Sequence, residues 1–239
     1  MARRAVSFGE VAGAYHRARP GYPDEILRWA LPDGARRVLD LGAGTGKLTD
    51  GLLTLGLEVV AVEPLAGMRD LIAPEATALE GAAEEIPLPD ASVDSVLAGQ
   101  AFHWFDAARA LPEIRRVLRP GGTVALMWNL IDDSVPWVKR LAELYGAEDR
   151  AGRWPLAEDD RDPPYTSVPG LGEPVLKVLP HSKTMTVDEL LDLVRSRSTT
   201  ILLAEDERAA LLREVVRVAP PEPFEMPYLC AAWRGLRRP

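Results

Sequence analysis

Apolar residues along this chain fall into short runs separated by segments of helical spacing, and the two kinds alternate. Asp24 to Leu31 places Ile26, Leu27, Ala30 and Leu31 on one helical face, and Pro32-Asp33-Gly34 closes it. The run Arg37 to Leu41 predicts a first strand. A helix with Leu48, Leu52 and Leu55 on one side follows, and Gly56 ends it. Glu58 to Val62 predicts a second strand, succeeded by a helix carrying Leu65, Met68, Leu71 and Ile72. A short strand at Thr77 to Leu79 precedes a loop from Gly81 to Asp90. Val93 to Ala98 predicts a fourth strand. Asp106 caps a helix that buries Ala110, Leu111, Ile114 and Leu118, and Arg119-Pro-Gly-Gly122 turns the chain into a fifth strand, Thr123 to Trp128. Strands alternating with helices predict a parallel, doubly wound α/β sheet.

After Asn129 the rhythm changes. Ser134 to Tyr145 has helical spacing, with Trp137, Val138, Leu141 and Leu144 apolar. Gly146 to Pro174 is polar and proline-rich without a period, the composition of a lid or a disordered loop. Pro174 to Leu179 predicts a strand. Thr186 with Glu189 forms a capping box for a helix bearing Leu190, Leu191, Leu193 and Val194. A helix from Glu205 to Val218 and a last strand, Tyr228 to Trp233, introduced by Pro227, complete the chain. These two strands extend the same sheet, so residues 1–239 read as one domain. Within it, residues 1–34 form an N-terminal cap segment, 35–129 a core, and 130–239 a cap with the last two strands.

Composition narrows the function classes. The 239 residues, 47% of them hydrophobic, suffice for one large core. No run of about 18 apolar residues exists to span a membrane, and the start of the chain has no secretory h-region, so a cytoplasmic location is expected. The formal net charge of −8 disfavours a phosphate-backbone partner. The single cysteine, Cys230, excludes an intrachain disulfide and reads as a small buried residue of the last strand. His16, His103 and His181 are too far apart to form a metal-ligand pair by spacing.

The chemistry concentrates in Val38 to Leu48, VLDLGAGTGKL. Asp40 ends the strand, and Gly42, Gly44 and Gly46 follow at alternate positions before a helix, the form of a backbone turn that approaches a ligand closely. A P-loop would need glycine at Leu41 and a hydroxyl at Leu48. A dinucleotide fingerprint would need glycine at Lys47, and Asp40 would repel the pyrophosphate. S-adenosylmethionine suits the segment better. Its ammonium complements Asp40, glycine backbone at Gly42 and Gly44 can approach its amino-acid and ribose portions, and Glu63 can accept both ribose hydroxyls.

With those residues the chain resembles the class I S-adenosylmethionine-dependent methyltransferases, in particular the methyltransferase type 11 group that acts on small molecules. The resemblance rests on Asp40-Leu-Gly42-Ala-Gly44-Thr-Gly46, Val62-Glu63-Pro64, Gly81-Ala-Ala-Glu84-Glu-Ile-Pro87, Asp94-Ser-Val96, Gln100-Ala-Phe-His103-Trp104-Phe105 and Leu118-Arg-Pro-Gly-Gly122. The lead-in Tyr15…Arg19-Pro-Gly-Tyr22-Pro and the Ala-Phe-His-Trp-Phe stretch are similar to trans-aconitate methyltransferase-like proteins. The resemblance implies a Rossmann-like, seven-stranded, mostly parallel sheet with a C-terminal antiparallel strand and an inserted helical cap. It implies that S-adenosylmethionine is held by Tyr15, Arg19, Asp40, Gly42, Ala43, Gly44, Glu63, Pro64, Met68, Ala83, Glu84, Gln100 and Ala101, with S-adenosylhomocysteine as product. Many relatives have an acidic residue where Ala82 stands, so contact to the adenine amino group falls to Glu84 or to backbone carbonyls.

Ligands of open α/β sheets lie outside the carboxyl ends of the strands. His103 is therefore the candidate general base or substrate-binding residue, with Trp104 and Trp128 as walls for the acceptor and Phe105 expected in the core. The acceptor is expected to be a small molecule reacting through oxygen, with no nucleic acid, membrane or metal involved. Asp162-Pro-Pro-Tyr165 matches an amino-methyltransferase motif, but the place for that motif, after the fourth strand, is held by Gly99-Gln-Ala-Phe102. Two alternatives remain: an NAD(P)-dependent oxidoreductase, and a non-catalytic protein that retains the cofactor fold. Oligomeric state is not encoded in any motif.

Overall fold

A computed structural model describes His16 and residues 18–144 and 170–238. Seven strands form one sheet in the order β3-β2-β1-β4-β5-β7-β6. They are β1 (Arg37–Leu41), β2 (Glu58–Val62), β3 (Thr77–Leu79), β4 (Val93–Gly99), β5 (Leu118–Ile131), β6 (Val175–Met185) and β7 (Phe224–Leu236). The first five pair in parallel, and β7 runs antiparallel to both β5 and β6. This is the α/β, Rossmann-like arrangement expected from the alternation of strands and helices.

Helices α1 (Asp24–Ala30) and α2 (Lys47–Thr54) cover one face, and α4 (Ala107–Val117) covers the other; α3 (Ala66–Arg69) is a single turn after β2. Strand side chains alternate between the two covers. Val38, Val59, Leu97, Ala125, Met127, Cys230 and Ala232 pack with Ile26, Leu27, Leu48 and Leu52. Leu39, Val60, Val96, Val124, Leu126, Trp128 and Ala231 pack with Ala110, Ile114 and Val117. Both faces are buried, which is why these strands read as continuous apolar runs. Two polar residues of this core are paired: Ser95 Oγ donates to the Thr123 carbonyl at 3.1 Å, and Thr123 Oγ1 donates to the Ala30 carbonyl at 2.8 Å, fastening the end of α1 to β5.

A separate apolar cluster lies among the later helices α5 (Pro136–Leu144), α6 (Val187–Arg195) and α8 (Glu205–Val218), with α7 (Ser198–Ile201) between the last two. It gathers Val138, Leu141, Leu190, Leu193, Val215, Phe224 and Tyr228, and Ala18 from the N-terminal segment inserts into it. The capping box predicted at Thr186 and Glu189 is present, with both reciprocal hydrogen bonds formed.

Three elements differ from the sequence pattern. The helix expected through Leu65 to Ile72 is only Ala66–Arg69, so Leu71 is 43% exposed while Met68 and Ile72 are buried. Pro74 lies just beyond, and the residue before a proline is driven out of helical conformation. Strand β6 runs to Met185 through Pro180, His181, Ser182 and Lys183. As the edge strand, it tolerates polar side chains and a proline that hide it from a hydrophobicity pattern. Strand β7 begins at Phe224 and passes through Pro227, which sits opposite Ser182 just past the last residue pair with β5, Tyr228 with Ile131.

Candidate active site

Strand register builds the site. Leu41 pairs with Val62, so β1 and β2 end level, and Gly42 and Glu63 leave the sheet side by side. The amides of Gly42 and Ala43 both donate to the Val62 carbonyl, at 2.9 and 3.1 Å. The glycine turn is thus pinned across the end of β2. Glu63 completes the fastening: its Oε2 accepts from the Gly44 amide and its Oε1 from the Leu65 amide, both at 2.9 Å. Burial raises the Glu63 pKa, opposed by these two amides and by Arg69, whose guanidinium donates to the Glu63 carbonyl at 2.7 Å. Each carboxylate oxygen keeps a second lone pair for a ribose hydroxyl. The carboxylate expected to receive the ribose is also the anchor of the glycine turn.

Two glycines of the turn have different constraints. Gly42 has φ +70°, and a Cβ there would lie 2.8 Å from Ala101 Cβ and 3.2 Å from the Phe105 ring. Absence of a side chain therefore lets the loop after β4 close on the loop after β1. Gly44 has φ +57° and, among the described residues, nothing within 4 Å of where a Cβ would project. Its backbone faces open space, as a ligand cradle requires.

Asp40 is buried, 1% exposed, at the end of β1. Its Oδ2 accepts from Thr49 Oγ1 at 2.7 Å, while Oδ1 makes no hydrogen bond among the described residues. Burial pushes its carboxyl pKa up to about 7, with Thr49 hydrogen bonding opposing the shift only in part. A buried acceptor with no donor is costly unless a ligand supplies one. An ammonium group fits that need, and the open Gly44 backbone and the Glu63 carboxylate lie on the neighbouring turn. Thr49 was not legible as part of the site, although its hydroxyl lies on the inward face of α2.

The remaining predicted residues are placed as follows. Pro64 is exposed, and Met68, on α3, is 7% exposed. Ala83 is buried, and Glu84 Oε1 accepts from the Asp106 amide at 2.7 Å, at the start of α4. Asp106 also caps that helix, accepting from the Ala108 amide at 3.2 Å. Gln100 follows β4 with φ +55°, and Ala101 is buried against the glycine turn. His103 and Trp104 lie on a 3-10 turn, Phe102–Trp104, with ring centroids 5.0 Å apart; both are exposed. Arg19 is half-buried, and His16 Nδ1 stands 3.1 Å from the Thr45 carbonyl of the glycine turn. Tyr15 and Asp162-Pro-Pro-Tyr165 lie outside the described residues.

Trp128 requires a correction. It is fully buried between β5 neighbours and the α4 side of the sheet, with Phe102, Leu130 and Ala231 in the same cluster. An indole with no exposed surface is part of the core and does not wall an acceptor pocket. The fifth strand continues to Ile131, so Trp128 lies inside it and not at its end. Phe105 packs partly buried against the same core, as expected.

Comparisons with known proteins bear on this geometry. A model of the methyltransferase domain matches residues 39–126, from β1 to β5. An uncharacterised methyltransferase of Mycobacterium tuberculosis is 47% identical over 218 residues, 88% of this chain and 84% of the relative. The chain belongs to the S-adenosylmethionine-dependent methyltransferases. A solved structure assigned as a type II methyltransferase from Anaeromyxobacter dehalogenans matches this methyltransferase with a TM-score of 0.61 and 26% identity, covering 92% of this chain and 96% of that one. A malonyl-[acyl-carrier protein] O-methyltransferase of Dechloromonas aromatica is 35% identical over 132 residues, half of each chain. The family excludes the oxidoreductase alternative. When bound, S-adenosylmethionine supplies an activated methyl group on a sulfonium whose leaving group is a neutral thioether. The methyltransferase's own contribution is to bind, align and exclude water.

Proposed function

We propose that this methyltransferase carries a methyl group from S-adenosylmethionine to an oxygen of a small molecule, a carboxylate or a hydroxyl. In this reading Asp40 holds the ammonium, Gly42, Ala43 and Gly44 form the cradle, and Glu63 receives the ribose. Ala83 and Glu84 flank the adenine, Gln100 and Ala101 lie beside the methionine portion, and Pro64, Met68 and Arg19 complete the cofactor site, with Tyr15, outside the described residues, expected to cover it. The observation that carries the acceptor site is the exposed His103–Trp104 pair. Its 3-10 turn is seated against the glycine turn through Ala101, Phe105 and Gly42. An imidazole there removes a hydroxyl proton during transfer, or orients an acceptor that is already anionic. The similarity of the Ala-Phe-His-Trp-Phe stretch to trans-aconitate methyltransferase-like proteins, and the partial likeness to an O-methyltransferase, support oxygen as the acceptor atom.

Two measurements test this. S-adenosylhomocysteine should raise the melting temperature of the wild type, and Glu63→Ala should abolish the shift; no shift in the wild type overturns the cofactor assignment. A panel of small acids, alcohols and amines is then incubated with donor carrying a tritium-labelled methyl group. Base-labile label marks a methyl ester and base-stable label on an alcohol marks an ether. Label found only on nitrogen or carbon overturns the oxygen reading.

A further inference from the structure

Asn129, near the carboxyl end of β5, uses three polar atoms on three separate segments. Its backbone carbonyl accepts from Gln100 Nε2 at 2.7 Å, and its Nδ2 donates to the Gly21 carbonyl at 2.9 Å. Its Oδ1 stands 2.9 Å from Nε2 of His181, on β6. Because Nδ2 is the atom facing the Gly21 carbonyl, Oδ1 faces the histidine, and His181 Nε2 must carry the proton and donate. The His181 ring is half-buried and lies over Tyr228, with centroids 5.6 Å apart and planes 31° from parallel.

The groups so connected come from four segments far apart in sequence. Gln100 is one of two non-glycine residues with positive φ among the described residues, at +55°. Its amide donates to the Met127 carbonyl at 2.8 Å and its side chain reaches Asn129, so the conformation is secured from both ends. Gly21 and Tyr22 belong to the segment that enters α1. The Tyr22 phenol rests on Gly99, where any Cβ would overlap it.

We propose that Asn129 and His181 are positioning residues of the cofactor site. The Asn129 side chain, oriented by His181, clasps the segment from Arg19 to Tyr22 onto the ends of β4 and β5, beside the Gln100 side chain that the Asn129 backbone carbonyl anchors. The inference rests on the placement of Gln100 and Arg19 beside the cofactor. Neither positioning residue belongs to a motif segment, and His181 is 52 residues from the asparagine it orients.

The test compares wild type, His181→Phe, His181→Gln and Asn129→Asp as full-length proteins. His181→Phe keeps an aromatic ring over Tyr228 and removes the donor. His181→Gln restores a donor, and Asn129→Asp sets an acceptor against the Gly21 carbonyl. Hydrogen exchange without ligand should speed up at residues 18–23 in His181→Phe and Asn129→Asp, with β1 and β2 unchanged. S-adenosylhomocysteine should bind these two variants roughly three- to tenfold more weakly, the range of one lost hydrogen bond. His181→Gln should recover both properties. Unchanged exchange at residues 18–23 in both variants overturns the clasp, as does uniform acceleration across the sheet. Failure of the wild type to bind S-adenosylhomocysteine would instead indict the cofactor reading, which the ligand-free exchange does not depend on.

Discussion

Thr49 Oγ1 donates to Asp40 Oδ2 at 2.7 Å, tying the first turn of α2 to the end of β1 and leaving the other carboxylate oxygen without a donor among the described residues. One oxygen of this buried acid belongs to the fold, and the proposed cofactor reading gives the other to a ligand.

That division makes Asp40 a source of pH dependence. Its carboxyl titrates at about 7 in the folded protein against an ordinary 3.8, because burial penalises the charged form. Its contribution to stability is fully present below about pH 4 and is lost as pH rises through 7. A shift of this size corresponds to on the order of 4 kcal/mol. Asp40→Asn should therefore melt higher than wild type at pH 8 without ligand, yet bind S-adenosylhomocysteine more weakly. In the wild type, binding measured by calorimetry should tighten from pH 6 to pH 8 and release a proton to the buffer at the lower pH. Affinity that falls over that range would sink the assignment of Asp40 to the ammonium.

Gly42 and Gly44 should fail in different ways when replaced by alanine. Both have positive φ, which costs an alanine about 1–2 kcal/mol. At Gly42 the new methyl also meets Ala101 Cβ at 2.8 Å, so Gly42→Ala should lose stability beyond that figure in denaturant titrations. At Gly44 the methyl enters open space, so Gly44→Ala should stay folded and lose S-adenosylhomocysteine binding at least tenfold. Equal loss of stability in the two variants would contradict the cradle.

His103 separates the two oxygen acceptors. Since it is exposed on the Phe102–Trp104 turn, His103→Ala should leave melting temperature and S-adenosylhomocysteine affinity near wild type. For a hydroxyl acceptor, kcat should fall about 10²–10⁴-fold and the acid limb of the pH–rate profile should disappear. For a carboxylate acceptor, the effect should appear mainly in KM. A variant with unaltered kcat and KM removes His103 from the acceptor site.

Trp128 should behave as a core residue. Trp128→Ala should cost about 3–5 kcal/mol in chemical denaturation. Trp128→Phe, which keeps most of the apolar volume, should bind S-adenosylhomocysteine as the wild type does. Its acceptor KM should also be unchanged, and a selective KM change at wild-type stability would restore it to the acceptor site.

The parallel part of the sheet was legible because strands buried on both faces must be apolar throughout, and Val38, Val60, Val96 and Leu126 announce themselves. The glycine turn and its carboxylates were legible for a similar reason: local backbone geometry and charge are written in adjacent residues. Strand β6 was read too short because an edge strand is held by its backbone, and its polar His181, Ser182 and Lys183 carry no hydrophobic signal.

Other features depend on residues far apart in sequence. Asp40 is exposed or buried according to what covers it, and α2 with Thr49 decides that. Trp128 occupies a position near a strand end in the sequence pattern, and only the observed extension to Ile131 shows that it lies within the core. Asn129, Gln100, Gly21 and His181 come together only after the sheet has closed. By itself, then, the sequence determined the fold class, the methyl donor and the residues that form its turn, since these follow from local periodicity, backbone freedom and charge. The tertiary structure decided which polar atoms are satisfied, which aromatic is core, and which side chain meets the Gly21 carbonyl, because burial and hydrogen-bond partnership are properties of surroundings and not of residue types.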